Sequence, residues 1–222
     1  MRQEDFDKFN RYMELMHFTI YHEPSTPNFH NRLIDKVLDE VIFPLDLPKD
    51  AVILDMGCGS GYFLSRMKET GFYNLRGITM DDEDIAECKA LELDVSKQDM
   101  TFTDLPDGEL DLLFCRHCLE HSPFPSFTLL EFNRLLKVGG HLYIEVPTPN
   151  QDRKHENNLN HYSIMGDKMW NSLFSRACFN IDKFHEFQFN LTDEIAPGIM
   201  VDQSETYYIY KLTKTQNIFG NK

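Results

Sequence analysis

Apolar residues recur at two different periods along this chain, and the change of period marks its organisation. Within 5–16, Phe6, Phe9, Tyr12, Met13 and Met16 follow at steps of three and four, which predicts an amphipathic helix. The connector 21–28 carries Pro24 and Pro27. A second helix is predicted over 30–42, with Leu33, Ile34, Val37, Leu38, Val41 and Ile42 on one face, and Pro44 and Pro48 ending it. From residue 51 short apolar runs alternate with helical stretches. Strands are predicted at 51–56, 74–80, 91–95, 110–115 and 141–147, and helices at 61–69, 82–91, 125–136 and 163–178. Asp81 is placed to cap the helix that follows it, and Val138-Gly139-Gly140 to stop the helix before it. Strands at 181–189 and 206–213 close the chain without an intervening helix.

This alternation predicts an α/β fold with a mostly parallel sheet covered on both faces and one antiparallel strand at its end. The two leading helices precede the sheet and can cap it. With 222 residues, 41% of them hydrophobic, the chain is long enough for one domain with extensions and too apolar for disorder. No apolar run reaches the roughly 18 residues of a membrane span. The charged start MRQEDFDKFN has no apolar core, so no secretory signal is expected.

The net charge is −14, and residues 1–150 carry it with 14 basic against 27 acidic residues; 151–222 hold 8 against 9. A protein that neutralises phosphates needs a basic face, so nucleic acid is demoted as a substrate. The five cysteines, 58, 88, 115, 118 and 178, are odd in number and scattered, which reads as free thiols in a reducing, cytoplasmic compartment. Cys115 and Cys118 form one C-x-x-C, but no second pair stands at matching spacing, and no metal site is expected.

The strongest signal is ILDMGCGSGYFL at 53–64, where a buried strand runs straight into Gly57, Gly59 and Gly61 and then a helix. Glycines there permit positive φ and close approach of backbone to a ligand, and ligands of such sheets bind at the carboxyl ends of the strands. The spacing G-x-G-x-G is not the G-x-G-x-x-G of dinucleotide binders, and no G-K-[ST] follows. Asp55 stands two residues before the first glycine. An acid there repels a pyrophosphate and suits a ligand with an ammonium and a cationic centre, as in S-adenosylmethionine. A tight turn without a ligand is the structural alternative.

D-x-G-C-G-x-G after a strand resembles the first motif of class I S-adenosylmethionine-dependent methyltransferases. The stretches DMTFTDLPDGELDLLFCRHCLEHSPFP (99–125) and EFNRLLKVGGHLYIEVPTPN (131–150) resemble the small-molecule branch of that superfamily, so the likeness covers about 51–180. It implies a Rossmann-like, seven-stranded, mostly parallel sheet with the last strand antiparallel. It implies S-adenosylmethionine as cofactor and S-adenosylhomocysteine as product. Residues 1–45 become helices capping the site and 46–222 the methyltransferase domain. Position by position, Asp55, Gly57, Cys58 and Gly59 are implied to hold the methionine half. Asp99 is implied to accept from the adenine amino group and the Met100 N–H to face a ring nitrogen. Cys115 is implied to line the sulfonium region. Many members carry an acid at the end of the second strand for the ribose, whereas Thr79 stands there in GITMDDED; that pattern resembles cyclopropane-fatty-acid-synthase-like members. Thr79, the Met80 backbone and Asp84 are the ribose candidates, unless Asp81 and Asp84 simply cap the next helix.

For the acceptor, RHCLEHSPFP (116–125) supplies His117, Glu120 and His121. His117 reads as a structural imidazole. His121 reads either as a general base for a hydroxyl or as a second structural imidazole. NLNHYS (158–163) adds His161 and Tyr162, or is an entry loop whose Ser163 caps the next helix. Tyr12, Tyr21 and His22 are candidates for a third wall. The stretch His121-Ser-Pro-Phe124 does not match the [DNS]-P-P-[FYW] of amino-methylating nucleic-acid enzymes. The expected function is therefore methyl transfer to a small-molecule acceptor, at oxygen first and nitrogen next. The alternatives are carbon methylation or cyclopropanation of a lipid, and a non-catalytic protein that binds the cofactor. The sequence specifies no oligomeric state.

Overall fold

A computed structural model describes residues 2–18, 29–196 and 199–218. Seven strands form one sheet in the order β3-β2-β1-β4-β5-β7-β6. They are β1 (Val52–Met56), β2 (Asn74–Thr79), β3 (Val95–Lys97), β4 (Leu110–Arg116), β5 (Leu136–Pro147), β6 (Phe179–Ala196) and β7 (Ile199–Lys214). The neighbours from β3 through β5 pair in parallel. β7 runs antiparallel to both β5 and β6, so it alone is reversed, as the sequence predicts.

Among the described residues six α-helices accompany the sheet: α1 (Gln3–Phe18), α2 (Phe29–Val37), α3 (Tyr62–Glu69), α4 (Asp82–Ala90), α5 (Pro125–Leu135) and α6 (Asp167–Arg176). Alternation of side chains along each strand divides the core in two. On β4, Leu113 and Cys115 pack with Leu129, Phe132, Trp170 and Phe174 of α5 and α6. Leu112 and Phe114 pack on the opposite face with Phe63, Leu64 and Met67 of α3, and Leu38 and Ile42 beyond α2. Phe114 lies stacked between Phe63 and Tyr143, with ring centroids 3.9 and 4.8 Å away.

Four elements differ from the periodicity reading. The third strand begins at Val95 rather than 91, because Leu91–Leu93 finish α4: the Leu93 N–H donates to the Cys88 carbonyl and Glu92 takes φ +54°. β5 starts at Leu136, and the Val138-Gly139-Gly140 segment lies inside it as an irregularity in its pairing with β4. α6 starts at Asp167, four residues later than predicted. Ser163 does not cap it; its hydroxyl donates to the Ser122 carbonyl (2.8 Å) and its N–H to the Glu120 carbonyl (3.0 Å). The final hairpin is longer at both inner ends than the apolar runs at 181–189 and 206–213.

The leading helices lie against the sheet's carboxyl edge. Phe9 of α1 meets the rings of Phe102 and Phe124 at 5.9 and 6.1 Å. The helical predictions for 5–16 and 30–42 correspond to α1 and to α2 with the short π and 3-10 turns that follow it.

Candidate active site

At the carboxyl end of β1, Asp55 sits between Gly77 of β2 and Phe114 of β4. The chain then turns through Gly57, Gly59 and Gly61, all at positive φ. A Cβ at Gly57 would lie 2.6 Å from the Cys118 sulfur, so both the φ of +77° and the lack of space demand glycine. The N–H groups of Gly57 and Cys58 donate to the Ile78 carbonyl at 2.8 and 2.9 Å. Those donors hold the turn to β2. What these residues offer a ligand is therefore bare backbone surface, and Gly57 and Gly59 line two adjoining cavities.

The larger cavity, about 630 Å³, runs over β1 and β2 and is lined by Thr79, Met80, Asp84, Asp99, Met100 and Cys118. Asp81 caps α4 by accepting from the Glu83 N–H at 2.7 Å, as expected. Asp84 does not cap; it accepts from the Thr79 hydroxyl at 3.4 Å, and burial together with the Asp81 charge raises it above the usual carboxylate range. Asp99 accepts from the Thr101 N–H at 2.7 Å, which fixes the turn beneath it. Met13 and Met16 of α1 complete the wall. Two assignments change. Cys115 is fully buried against the α5–α6 side of the sheet and does not reach the cavity; Cys118, beyond the strand end, does. Tyr12 is 59% exposed on the outer face of α1, whose methionines form the wall instead. Tyr21 and His22 lie outside the described residues. Cys58 turns its sulfur toward the core, where burial pushes the thiol up strongly, and a Cβ on Gly77 would meet that sulfur at 2.9 Å.

The second cavity, about 490 Å³, is lined from β1, β4 and β7, the start of α2 and the 153–161 loop. Two of its lining residues, Arg116 and His117, belong to a buried ionic cluster. Glu145 of β5 pairs with the Arg116 guanidinium (3.0 Å) and accepts from His117 Nε2 (3.0 Å) and from the Tyr143 hydroxyl (2.8 Å). Burial opposes its charge, yet Arg116 and these hydrogen bonds hold Glu145 well below the usual range. His117, at φ +49°, turns one ring nitrogen to Glu145 and the other toward Glu120, 3.6 Å away. Burial and Arg116 push this imidazole down, and the two carboxylates more than offset them, so its affinity for a proton is raised. Arg116 also meets His30 Nδ1 of α2 at 3.3 Å. Burial, then Arg116 and His117, lower His30 to about 4, so it is the neutral acceptor of that contact. His155 is likewise lowered to about 4, chiefly by burial. Arg116 and Glu145 escaped the sequence reading. The signal was present: an acid inside the apolar run HLYIEVP must be paired when buried.

Gly57, Gly59, His117 and His121 line both cavities and mark their junction. There His121 and His161 approach with ring centroids 4.8 Å apart. His121 Nδ1 lies 3.1 Å from the Asn160 carbonyl, and His161 Nδ1 lies 2.9 Å from the His155 carbonyl. The Tyr162 and Ser163 N–H groups both donate to the Glu120 carbonyl, which ties the two segments together. The structure thus brings the two candidate acceptor segments to one place. Tyr162 faces the larger cavity.

The residues fit the cofactor that the sequence motif implies. A buried acid, a glycine turn in which a Cβ at Gly57 or Gly61 would clash, and Arg116, whose buried Nε has no hydrogen-bond partner, lie at a cleft at the strand ends. The family profile described as "Methyltransferase domain" matches residues 28–193. A ubiquinone biosynthesis O-methyltransferase of Shewanella pealeana is 34% identical over 98 residues, 41% of this chain and 41% of that protein. The match thus spans about two fifths of the length of such relatives. An uncharacterized protein of Methanocaldococcus jannaschii is 28% identical over 204 residues, 88% of this chain and 84% of that one. Among solved structures, a SAM-dependent methyltransferase of Archaeoglobus fulgidus superposes with a TM-score of 0.65 at 19% identity, over 83% of this chain and 94% of that one. The chain belongs to the methyltransferase domain family, in its class I, Rossmann-like form. Its cofactor is S-adenosylmethionine. Among the described residues no helix is long and apolar enough to cross a membrane.

Proposed function

We propose that the protein transfers a methyl group from S-adenosylmethionine to an oxygen of a small-molecule acceptor. The observation that carries this reading is the second cavity: it opens onto the cofactor cleft at Gly57, Gly59, His117 and His121, and it is lined by proton-accepting and ionic side chains. The bound cofactor supplies a methyl group already activated on a sulfonium. The chain then has two tasks, to align the acceptor and to take its proton. His121, with His161 beside it, takes the proton. Nitrogen is the next choice of acceptor atom. The O-methyltransferase names of the partial relatives support oxygen.

In this reading Asp55 and the glycine turn 57–59 receive the methionine end, with Arg116 available to its carboxylate. Thr79, the Met80 backbone and Asp84 receive the ribose, and Asp99 and the Met100 N–H the adenine. Residues 1–45 cap the cleft over a methyltransferase domain at 46–222. All five cysteines are unpaired, which fits a reducing compartment such as the cytoplasm. Asp99→Ala should weaken S-adenosylhomocysteine binding by about 1–3 kcal/mol, measured by calorimetry, since it removes one charged hydrogen bond at the adenine end.

The test of the whole reading is incorporation of radiolabelled methyl from S-adenosylmethionine into fractionated metabolite pools, followed by identification of the product. A methyl ether is expected. An N-methyl or C-methyl product moves the acceptor class, and binding of S-adenosylhomocysteine without any incorporation moves the protein to the non-catalytic alternative.

A further inference from the structure

At the junction of the two cavities, Glu120, His121 and His161 each offer one ligand atom, and these three atoms lie within 4.8 Å of one another. From this geometry we infer that the chain binds a divalent transition-metal ion through these three side chains. The sequence offers no metal triad among the thiols and does not indicate a divalent ion near the acceptor; the imidazole pair is brought together only by the fold.

Three independent features point to a ligand. A carbonyl oxygen can only accept, so the Nδ1 atoms facing the Asn160 and His155 carbonyls both carry the proton. The lone pair of each ring is then on Nε2. Metal-binding histidines are usually held this way, with the other nitrogen donating to a carbonyl or carboxylate that fixes ring and tautomer. Glu120 is 1% exposed, and its Oε2 is buried without a hydrogen-bond partner. His117 Nδ1 lies 3.6 Å from the other carboxylate oxygen. A buried carboxylate oxygen without a partner is costly unless a cation or donor meets it. Finally, the two segments are locked together by the Tyr162 and Ser163 N–H bonds to Glu120 and by the Ser163 hydroxyl bond to Ser122, so the donor set exists before any ion arrives. The His161 Nε2 also accepts from the Asn158 amide at 3.2 Å, a neutral hydrogen bond that an ion would displace.

Two imidazoles and one carboxylate suit zinc, iron, cobalt or nickel rather than magnesium or calcium, which prefer oxygen ligands. Three protein ligands leave a coordination position open toward the acceptor cavity. An ion held by these residues would lower the pKa of an acceptor hydroxyl that reached it, in the way that a metal lowers the pKa of bound water, and the two imidazoles would then act as ligands in place of bases. This role rests on the methyltransferase reading above; the ion site itself does not.

The test uses the full chain and Co²⁺ as probe, followed by its visible absorption and by calorimetry. One Co²⁺ per chain is expected, without thiolate charge-transfer absorption. Glu120→Gln and His161→Gln should each weaken binding by more than about 100-fold, beyond the 10–100-fold typical of losing an outer-shell partner. Circular dichroism and S-adenosylhomocysteine binding should stay unchanged in both. Absence of Co²⁺ binding by the unmodified chain overturns the proposal, as does equal binding in both variants, which would put the ion elsewhere. Failure to bind Co²⁺ with S-adenosylhomocysteine binding intact sinks the ion site and leaves the methyltransferase reading standing. Co²⁺ binding that obeys both substitutions, in a chain that ignores S-adenosylhomocysteine, upholds the site and sinks that reading.

Discussion

Asp55→Asn is expected to raise the melting temperature of the ligand-free protein while removing most of its affinity for S-adenosylhomocysteine. Asp55 is 4% exposed, and burial pushes its carboxyl up to about 8, with Arg116 pulling against that. The folded value therefore lies above the unfolded one of 3.8. The sign follows from linkage: the stability this group contributes is fully present below about pH 4 and is lost as pH rises through about 8. Asparagine keeps the shape and cannot ionise, so the difference between variant and wild type should grow across that window. It should reach a few kcal/mol near pH 8, on the order of 5 °C or more in Tm for a chain this long. Binding has the opposite sign. An ammonium beside Asp55 favours the carboxylate, so ligand binding at pH 7 should release a proton. Calorimetry in buffers of different ionisation heat reads this directly. Without the charge the partner is left uncompensated, a loss of about 2–5 kcal/mol when a buried charge pair is truncated. An asparagine variant that binds as tightly as wild type, or releases the same proton, would remove Asp55 from the cofactor site.

The opposition of these two effects also explains what was legible in the sequence. Asp55 stood out because an acid at the end of a buried strand violates the apolar pattern around it, and such violations concentrate at functional positions. Glu145 violated the same pattern in HLYIEVP and could have been read the same way. The glycine turn was legible because one of its constraints is local: Gly57, Gly59 and Gly61 all take positive φ. Cys115 was misplaced because strand alternation sets which face a residue takes, and the family likeness fixed only its position along the strand. Ser163 looked like a helix cap by spacing, yet its hydroxyl holds Ser122, forty-one residues earlier. That contact, and the approach of His121 to His161, depend on how two loops meet above the sheet, which no periodicity in either loop encodes. The parallel character of the sheet followed from alternation of elements, whereas the length of the β6–β7 hairpin did not, because its ladder extends past the apolar runs into mixed sequence.

His121→Ala should lower kcat on an alcohol acceptor by about 10² to 10⁴, the usual worth of a positioned proton acceptor, and leave S-adenosylhomocysteine affinity nearly unchanged. Rate and affinity separate because His121 stands at the junction of the cavities, while the residues proposed for the cofactor lie at the ends of β1 and β2 and in the turn at 99–100. With its Nδ1 proton held by the Asn160 carbonyl, the ring presents Nε2 either to a hydroxyl proton or to an ion, and the two roles diverge when the wild type is treated with a chelator. If the ring alone takes the proton, chelation leaves the wild-type rate intact. If the ion holds the acceptor oxygen, chelation reproduces the loss in the wild type and adds little to the variant. An acceptor that is already an ionised phenolate needs neither help, so on it the substitution should cost little. Wild-type kcat for His121→Ala on an alcohol would move the role to His161, whose Nε2 carries its lone pair at the same junction. Full activity in both single variants would leave alignment of acceptor and methyl as the sole source of rate.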